Sequence, residues 1–171
     1  MSGNTEDEGD SGIVGRGRKL FVTTFRESDL TVMAKAMAPD PVIGVWKLDL
    51  GKSCFRRLLA PKSSVMKVEP WEDGLRVNSD TVDTEGNKVH TATAYKFDGK
   101  DYPIKGSPLA NTISAKRINE RKRESVWKKD GKVTLKTKTI ISADGKTLNM
   151  ARTAKDALGW TFEDLMAYDK Q

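Results

Sequence analysis

The sequence has very few of the residues that bind metals or form disulfides. It contains one cysteine, Cys54, and one histidine, His90, among 171 residues. A lone cysteine cannot form a bridge within the chain, and one cysteine with one histidine would leave a zinc site dependent on carboxylates. We therefore expect no metal and no cofactor. A chain of this length can be stabilised by apolar burial alone.

Long apolar runs are missing too. No stretch reaches the roughly eighteen apolar residues that a membrane-spanning helix needs, so we expect no membrane span. The segment RGRKLFVTTF resembles the start of an export signal, but polar and charged residues at positions 26–29 interrupt it. The remaining apolar stretch falls below the about seven residues that such a signal requires. We expect no signal peptide and a cytoplasmic location.

Basic residues outnumber acidic ones, which gives a net charge of +6. Residues 115–138 hold much of the excess, with ten basic and three acidic side chains, and Trp127 lies among them. An aromatic ring among cations is typical of single-stranded nucleic-acid binding. Lysine-rich hairpins also give soluble barrels their solubility and protect their edges. Because no oligonucleotide-binding motif accompanies the cluster, we expect no nucleic-acid partner. A basic interaction module for nucleic acid or protein is retained as an alternative.

The N-terminal part of the chain differs from the rest. Residues 1–26 begin with a Gly-, Ser- and acid-rich stretch that cannot offset its ordering entropy by burial, which predicts a disordered or loosely packed tail. The segment SDLTVMAKAMA then places Ser28 as an N-cap before apolar residues at helical spacing, and Pro39 and Pro41 end the pattern. We predict a short helix that leads into a single domain spanning residues 27–171.

From Val42 onward the apolar period changes to two, and turn pairs such as Asp-Gly recur at near-regular intervals. Asp-Gly accepts the positive φ angles of tight hairpins. Ten strands joined by hairpins leave two exposed edges unless the sheet closes. The pattern therefore predicts an all-β, up-and-down antiparallel β-barrel or a strongly curled half-barrel. The predicted strands span residues 44–50, 63–70, 74–82, 88–97, 101–105, 112–118, 122–129, 132–142, 146–154 and 160–169.

The first strand, in the segment PDPVIGVWKLDL, carries Gly44 and Trp46. A Gly-x-Trp motif at the start of an up-and-down barrel resembles the signature of the calycin group, which includes lipocalins and fatty-acid-binding proteins. Over residues 41–171, the segments VIGVWKLDLGKSCF, FDGKDYPIKGSP and TISAKRI are similar, in this order, to a set of small bacterial lipocalin-like proteins, mostly of uncharacterised function. The resemblance implies that Trp46 packs across a closed barrel end against a cation, either Arg152 or Lys170.

The resemblance also bears on how a ligand would be held. Fatty-acid-binding members hold a carboxylate with an Arg-x-Tyr pair on the last strand. The matching place here reads Met166-Ala167-Tyr168, so the tyrosine is present and the arginine is not. Arg152, on the neighbouring predicted strand, is the candidate to replace it.

Strand 88–97 has the pattern most suggestive of a ligand site. One of its faces offers threonine hydroxyls beside aromatic side chains, which suits a small-molecule pocket if that face points inward. The other interpretation is that β-branched threonine simply favours strands. The predicted ligand-binding residues are Thr91, Thr93, Tyr95, Phe97, Arg152 and Tyr168.

We find no catalytic constellation. His90 shares its strand face with Lys96, and no serine or cysteine nucleophile in a Gly-flanked turn accompanies it, so we expect it to face solvent. The sequence favours non-catalytic binding of a small, mostly apolar molecule inside the barrel. The alternative from another class is an enzyme acting on such a molecule in the cavity, through His90 or a buried Asp or Tyr. Assembly into a homo-oligomer is left open.

Overall fold

The computed structural model describes residues 26–27, 39–56, 60–155 and 158–171. The chain divides into two compact units, Met1–Ala38 and Pro39–Gln171, and everything below concerns the second. Apart from Arg26 and Glu27, the predicted tail and the predicted helix lie outside the described residues, so the domain division at residue 27 stays a prediction. In the described ranges, no helix has the length and apolar character needed to cross a membrane.

The described unit is a closed antiparallel barrel of ten strands, which confirms the predicted fold class. Each strand pairs with its neighbours in sequence, and β1 closes the barrel by pairing with both β2 and β10. The strands are β1 (Gly44–Cys54), β2 (Ser63–Trp71), β3 (Gly74–Val82), β4 (Lys88–Lys96), β5 (Tyr102–Lys105), β6 (Thr112–Arg117), β7 (Lys122–Lys129), β8 (Lys132–Ile141), β9 (Thr147–Lys155) and β10 (Thr161–Lys170).

The largest difference from the predicted boundaries is in β1, which continues to Cys54 instead of ending at residue 50. Its register with β10 shifts between Asp49 and Cys54, so the extra residues form a bulge. The Oγ of Ser53 donates to the backbone oxygen of Asp49 at 2.6 Å and accepts from the backbone nitrogen of Ala167 at 3.0 Å. The predicted end at residue 50 was therefore wrong. A side chain instead completes the hydrogen bonding there.

The up-and-down order sorts the connections between two ends of the barrel. The turns after β2, β4, β6 and β8 lie at the end where β1 begins, which we call the closed end. The connections after β1, β3, β5, β7 and β9 lie at the opposite end, which we call the mouth. Side chains at alternate positions along each strand point into the barrel, as the pleat of a strand requires.

Trp46 blocks the closed end. Its side chain is fully buried, and its Nε1 donates to the backbone oxygen of Val42 at 2.7 Å. The Nζ of Lys170 lies 5.1 Å from the centroid of the indole ring and also donates to the backbone oxygen of Pro41 at 3.2 Å. Of the two cations named from the sequence, Lys170 therefore takes the position over the ring, where the negative face of the indole attracts it.

Gly44 provides the room for this arrangement. Its φ is +141°, and a Cβ at this position would lie 2.7 Å from the Cε of Lys170. A larger residue would push the lysine stem away from Trp46. Both the glycine and the tryptophan of the Gly-x-Trp motif therefore contribute to the contact between Lys170 and the indole ring.

We expect Trp46→Ala to lower the free energy of unfolding by about 3 to 5 kcal/mol, since it removes a large, fully buried ring. Urea denaturation of wild type and variant measures this. Trp160→Ala is the matched control, because that side chain is 70% exposed and its loss should cost less than about 1 kcal/mol. A loss below about 1 kcal/mol for Trp46→Ala, with unchanged near-ultraviolet dichroism, would contradict the closing role.

Candidate ligand cavity

The interior of the barrel holds a cavity of about 660 Å³. Inward side chains from eight of the ten strands line it, all but β1 and β5. It extends to the mouth, where Pro61, Glu85 and Leu109 from three different connections take part in its lining. This volume lies in the range of small-molecule sites, roughly 300 to 1,000 Å³.

All six residues predicted to bind a ligand line this cavity. Thr91, Thr93 and Tyr95 come from β4, and Phe97 directly follows it; Arg152 lies on β9 and Tyr168 on β10. The inward face assigned to β4 from its alternation is thus the face that the structure turns inward. A role for these residues in binding stays a prediction.

His90 lies on the outer wall of the barrel. Its side chain is 61% exposed, and its Nδ1 lies 2.7 Å from the Oδ1 of Asp80 on the neighbouring strand β3. Because the two residues lie directly opposite each other on the outside, their pairing is a surface contact. His90 has no access to the cavity from there.

Part of the cavity wall is apolar. Side chains from five strands form it, with no polar atom other than the thioether sulfurs of methionine. These residues are Met66, Val68, Leu75, Ile113, Leu148 and Met166. Such a surface suits the hydrocarbon part of a ligand, since transfer from water to this surface is favourable.

A group of hydroxyls from β2 and β3 also lines the cavity. The Oγ of Ser64 lies 3.0 Å from the Oγ1 of Thr81, which lies 3.4 Å from the Oγ of Ser79. The hydroxyl of Tyr168 donates to the Sδ of Met166 at 3.9 Å, and the Ser64 hydroxyl acts to lower the pKa of Tyr168. Because a hydroxyl can both donate and accept, this group can reorient to match a donor or an acceptor on a ligand.

Arg152 provides a cation on β9, the strand next to the one that carries Tyr168. It lies across from Thr137 of β8 and Asp164 of β10. Its Nη2 is 3.6 Å from the Oδ2 of Asp164, which is beyond hydrogen-bond distance, and its guanidinium lies over the ring of Phe55 at 5.8 Å. Within the described part of the chain, its Nε and Nη2 have no hydrogen-bond partner. The ion pair with Asp164 therefore leaves this guanidinium with donor capacity.

Burial lowers the pKa of Arg152, and the neighbouring Tyr168 and Asp164 act in the opposite direction. Arginine nevertheless stays charged in proteins, because its ordinary pKa lies far above neutral pH. The cavity wall thus carries a permanent positive charge that is poorly solvated. An anionic or strongly accepting group on a ligand would stabilise it.

Arg123 is a cavity residue that the sequence analysis missed. Assigned to a solvated hairpin, it is instead 94% buried, with 6% of its side chain exposed, and lines the cavity near the closed end. Its Nη2 donates to the Oδ1 of Asp40 at 2.8 Å and to the backbone oxygen of Glu120 at 3.3 Å. Asp40 also accepts from Arg117, whose guanidinium lies 4.5 Å from the ring centroid of Phe97. Arg123 therefore anchors the segment that leads into β1.

Trp127 points into the barrel as well. It lines the cavity, and its Nε1 donates to the Oγ of Ser125 at 3.1 Å. In the cross-strand register, Glu124 lies between Lys116 and Lys138. The cations of residues 115–138 therefore do not share an outer surface with Trp127. The signal that identifies these inward residues is the alternation of Arg123, Ser125 and Trp127 along β7.

Burial also raises the pKa of two tyrosines that line the cavity. It raises the pKa of Tyr95 to about 12, against the smaller opposing effect of the Arg123 charge. It also raises the pKa of Tyr168, although the Ser64 hydroxyl and the charge of Arg152 act in the other direction. Both side chains are therefore neutral near neutral pH and can donate a hydrogen bond.

No family model matches the chain, and no curated protein does. Among solved structures, it is similar to a chain from a structure described as "The Siderocalin Ex-FABP functions through dual ligand specificities". The identity is 15% and the TM-score 0.36, over 77% of this chain and 71% of that one. At this TM-score the similarity supports no conclusion about ligands. The barrel is established by its own strand pairing.

The raised pKa of Tyr95 predicts a loss of stability in alkali. The unfolded state loses the tyrosine proton near pH 10 and the folded state only near pH 12, so stability falls as the pH rises through this window. Urea denaturation at about pH 9.5 and about pH 11 should show wild type losing about 1 kcal/mol more than Tyr95→Phe. An equal loss in both proteins would contradict the assignment.

Proposed function

We propose that this chain is a non-catalytic binding protein of the calycin type, which holds a small, mostly apolar molecule inside its barrel and works in the cytoplasm. The observation that carries the proposal is the cavity of about 660 Å³, which combines an apolar wall with a few directed polar groups. Small-molecule sites have this composition, because apolar surface supplies affinity and a few polar groups fix orientation.

The polar part of the ligand lies beside Arg152 and Tyr168. These side chains interact electrostatically, and the Nε and Nη2 of Arg152, like the Nε and Nη1 of Arg123, are buried donors without a hydrogen-bond partner among the described residues. A hydrogen bond to a charged group contributes about 1.5 to 3 kcal/mol. We therefore infer a ligand with an acidic or strongly accepting group, and with its apolar part directed towards Leu75 and Leu148.

Binding is favoured over catalysis by where the titratable groups lie. Acid-base chemistry through His90 would need that imidazole in the cavity, and it lies on the outer wall. The raised pKa of Tyr95 keeps its hydroxyl protonated, which makes it a donor and not a base at neutral pH. The polar groups of the wall are thus suited to holding a ligand in place.

Two fluorescent probes of similar size test the proposal: an aromatic sulfonate, which is anionic, and a neutral apolar dye. Wild type should bind both probes, since both can enter the cavity and pack against its apolar wall. Tyr95→Ala and Tyr168→Ala, once dichroism shows that they are folded, should bind both probes at least about tenfold more weakly, because each loses cavity lining.

The variant Arg152→Met tests the contribution of the guanidinium to binding separately from that of the apolar wall. It should weaken the anionic probe at least about tenfold and leave the neutral dye within about twofold, because it removes charge while keeping much of the stem. Arg76→Met, an exposed arginine on β3, is the matched control and should change neither. If folded wild type binds neither probe, the proposed function is wrong. If Arg152→Met weakens both probes equally, the assignment of the polar group is wrong.

A further inference from the structure

Large apolar side chains are concentrated at one part of the mouth. Leu109 belongs to the connection after β5, Val133 to the start of β8, and Leu158 and Trp160 to the connection after β9; all four are exposed, Leu158 at 83% and Trp160 at 70%. These three connections follow one another around the barrel, because β5 to β10 are consecutive neighbours. At the closed end, the comparable described residues are Ile118, in the turn after β6, and Ile140, near the end of β8.

Exposed lysines lie at the ends of the strands that flank the same three connections. They are Lys105, Lys129, Lys132 and Lys155, and none forms an ion pair within the described ranges. The sequence of these connections also contains two aspartates, Asp130 and Asp156, so the four lysines outnumber the acidic residues. We call the surface made by Leu109, Val133, Leu158, Trp160 and these lysines the basic rim. It leaves out the connection after β3, which carries Asp83 and Glu85.

This combination of side chains matches the interface of a lipid bilayer. A tryptophan favours the boundary between headgroups and acyl chains, since its ring is apolar and its N–H is polar. Lysines are attracted to anionic headgroups, with about 1 kcal/mol for each cation near the surface. Apolar side chains and cations on one surface bind a membrane through both effects together.

We propose that the basic rim docks this protein on bilayers that contain anionic lipids. Leu158 and Trp160 enter the boundary between headgroups and acyl chains, and the four lysines contact the lipid phosphates. The cavity extends to this end of the barrel through Leu109, so the docked protein presents its mouth to the membrane. Docking goes beyond the proposed function, because it requires no ligand in the cavity.

Nucleic acid is the other polyanion that lysines would attract, and the apolar part of the rim argues against it. Leucine and valine side chains offer nothing to phosphates or to base edges, whereas they favour a lipid interface. The only aromatic ring of the rim among the described residues is Trp160, while Trp127 points into the cavity. The experiment therefore includes an oligonucleotide as a competing outcome.

The test is sedimentation of the full chain with vesicles of phosphatidylcholine alone or mixed with phosphatidylserine, at low and high salt. We expect binding to the mixed vesicles at low salt, at least about tenfold weaker binding without phosphatidylserine, and weakening by salt. Tryptophan emission should shift to shorter wavelength on binding. Trp46 is already buried, whereas Trp160 moves from water into the interface.

Two double variants test the apolar part and the basic part of the rim separately. Leu158→Ser with Trp160→Ser should weaken binding at least about tenfold and abolish the emission shift, and Lys129→Ser with Lys132→Ser should weaken binding and reduce its salt dependence. Ile118→Ser with Lys100→Ser makes the equivalent change at the closed end, where both side chains are exposed, and should have no effect.

Three results would overturn the proposal. The first is that folded wild type fails to bind vesicles with phosphatidylserine. The second is that the closed-end variant loses as much binding as the rim variants. The third is that a single-stranded oligonucleotide binds more tightly than the mixed vesicles and loses affinity in the same rim variants. That outcome would assign the rim to nucleic acid.

Discussion

The pairing of β1 with both β2 and β10 is the constraint on which the rest of the structure depends. Trp46 lies on this seam, opposite Lys170 of β10 and Met66 of β2. The seam removes the two sheet edges and places the indole, the lysine and Gly44 in one contact. Without it, the interior would be an open sheet face, and no cavity would be available to a ligand.

The two buried arginines, Arg123 and Arg152, differ in how closely a carboxylate pairs with them. Arg123 is neutralised by a direct hydrogen bond from its Nη2 to Asp40, which ties it into the closed end. Arg152 has only a loose pair with Asp164, whose Oδ1 accepts instead from the backbone nitrogen of Arg56 at 2.6 Å. Buried charges without full hydrogen bonding are destabilising, and each arginine has two buried nitrogens without a hydrogen-bond partner among the described residues.

Much of the fold could be predicted from the sequence, because hairpin turns and strand alternation are local signals. Turn signals such as Asp-Gly, together with strand alternation, predicted the strand count, and the threonine and aromatic face of β4 indicated the correct inward side. Arg123 and Asp164 were missed because a charged residue suggests solvent, and only their paired positions in the barrel explain their burial. The continuation of β1 past Gly51 depends on Ser53 meeting Ala167, a contact between distant residues that no local pattern encodes.

The seam also sets the order of events during folding. Trp46 and Lys170 pair although more than a hundred residues separate them, and a contact of this separation has a larger loop-closure cost than the hairpin contacts between neighbouring strands. On a ribosome, β1 and β2 would be synthesised long before β10 and would present an unpaired edge with an exposed indole. We therefore expect this barrel to be most prone to aggregation before β10 emerges, when the growing sheet is nearly complete and still open.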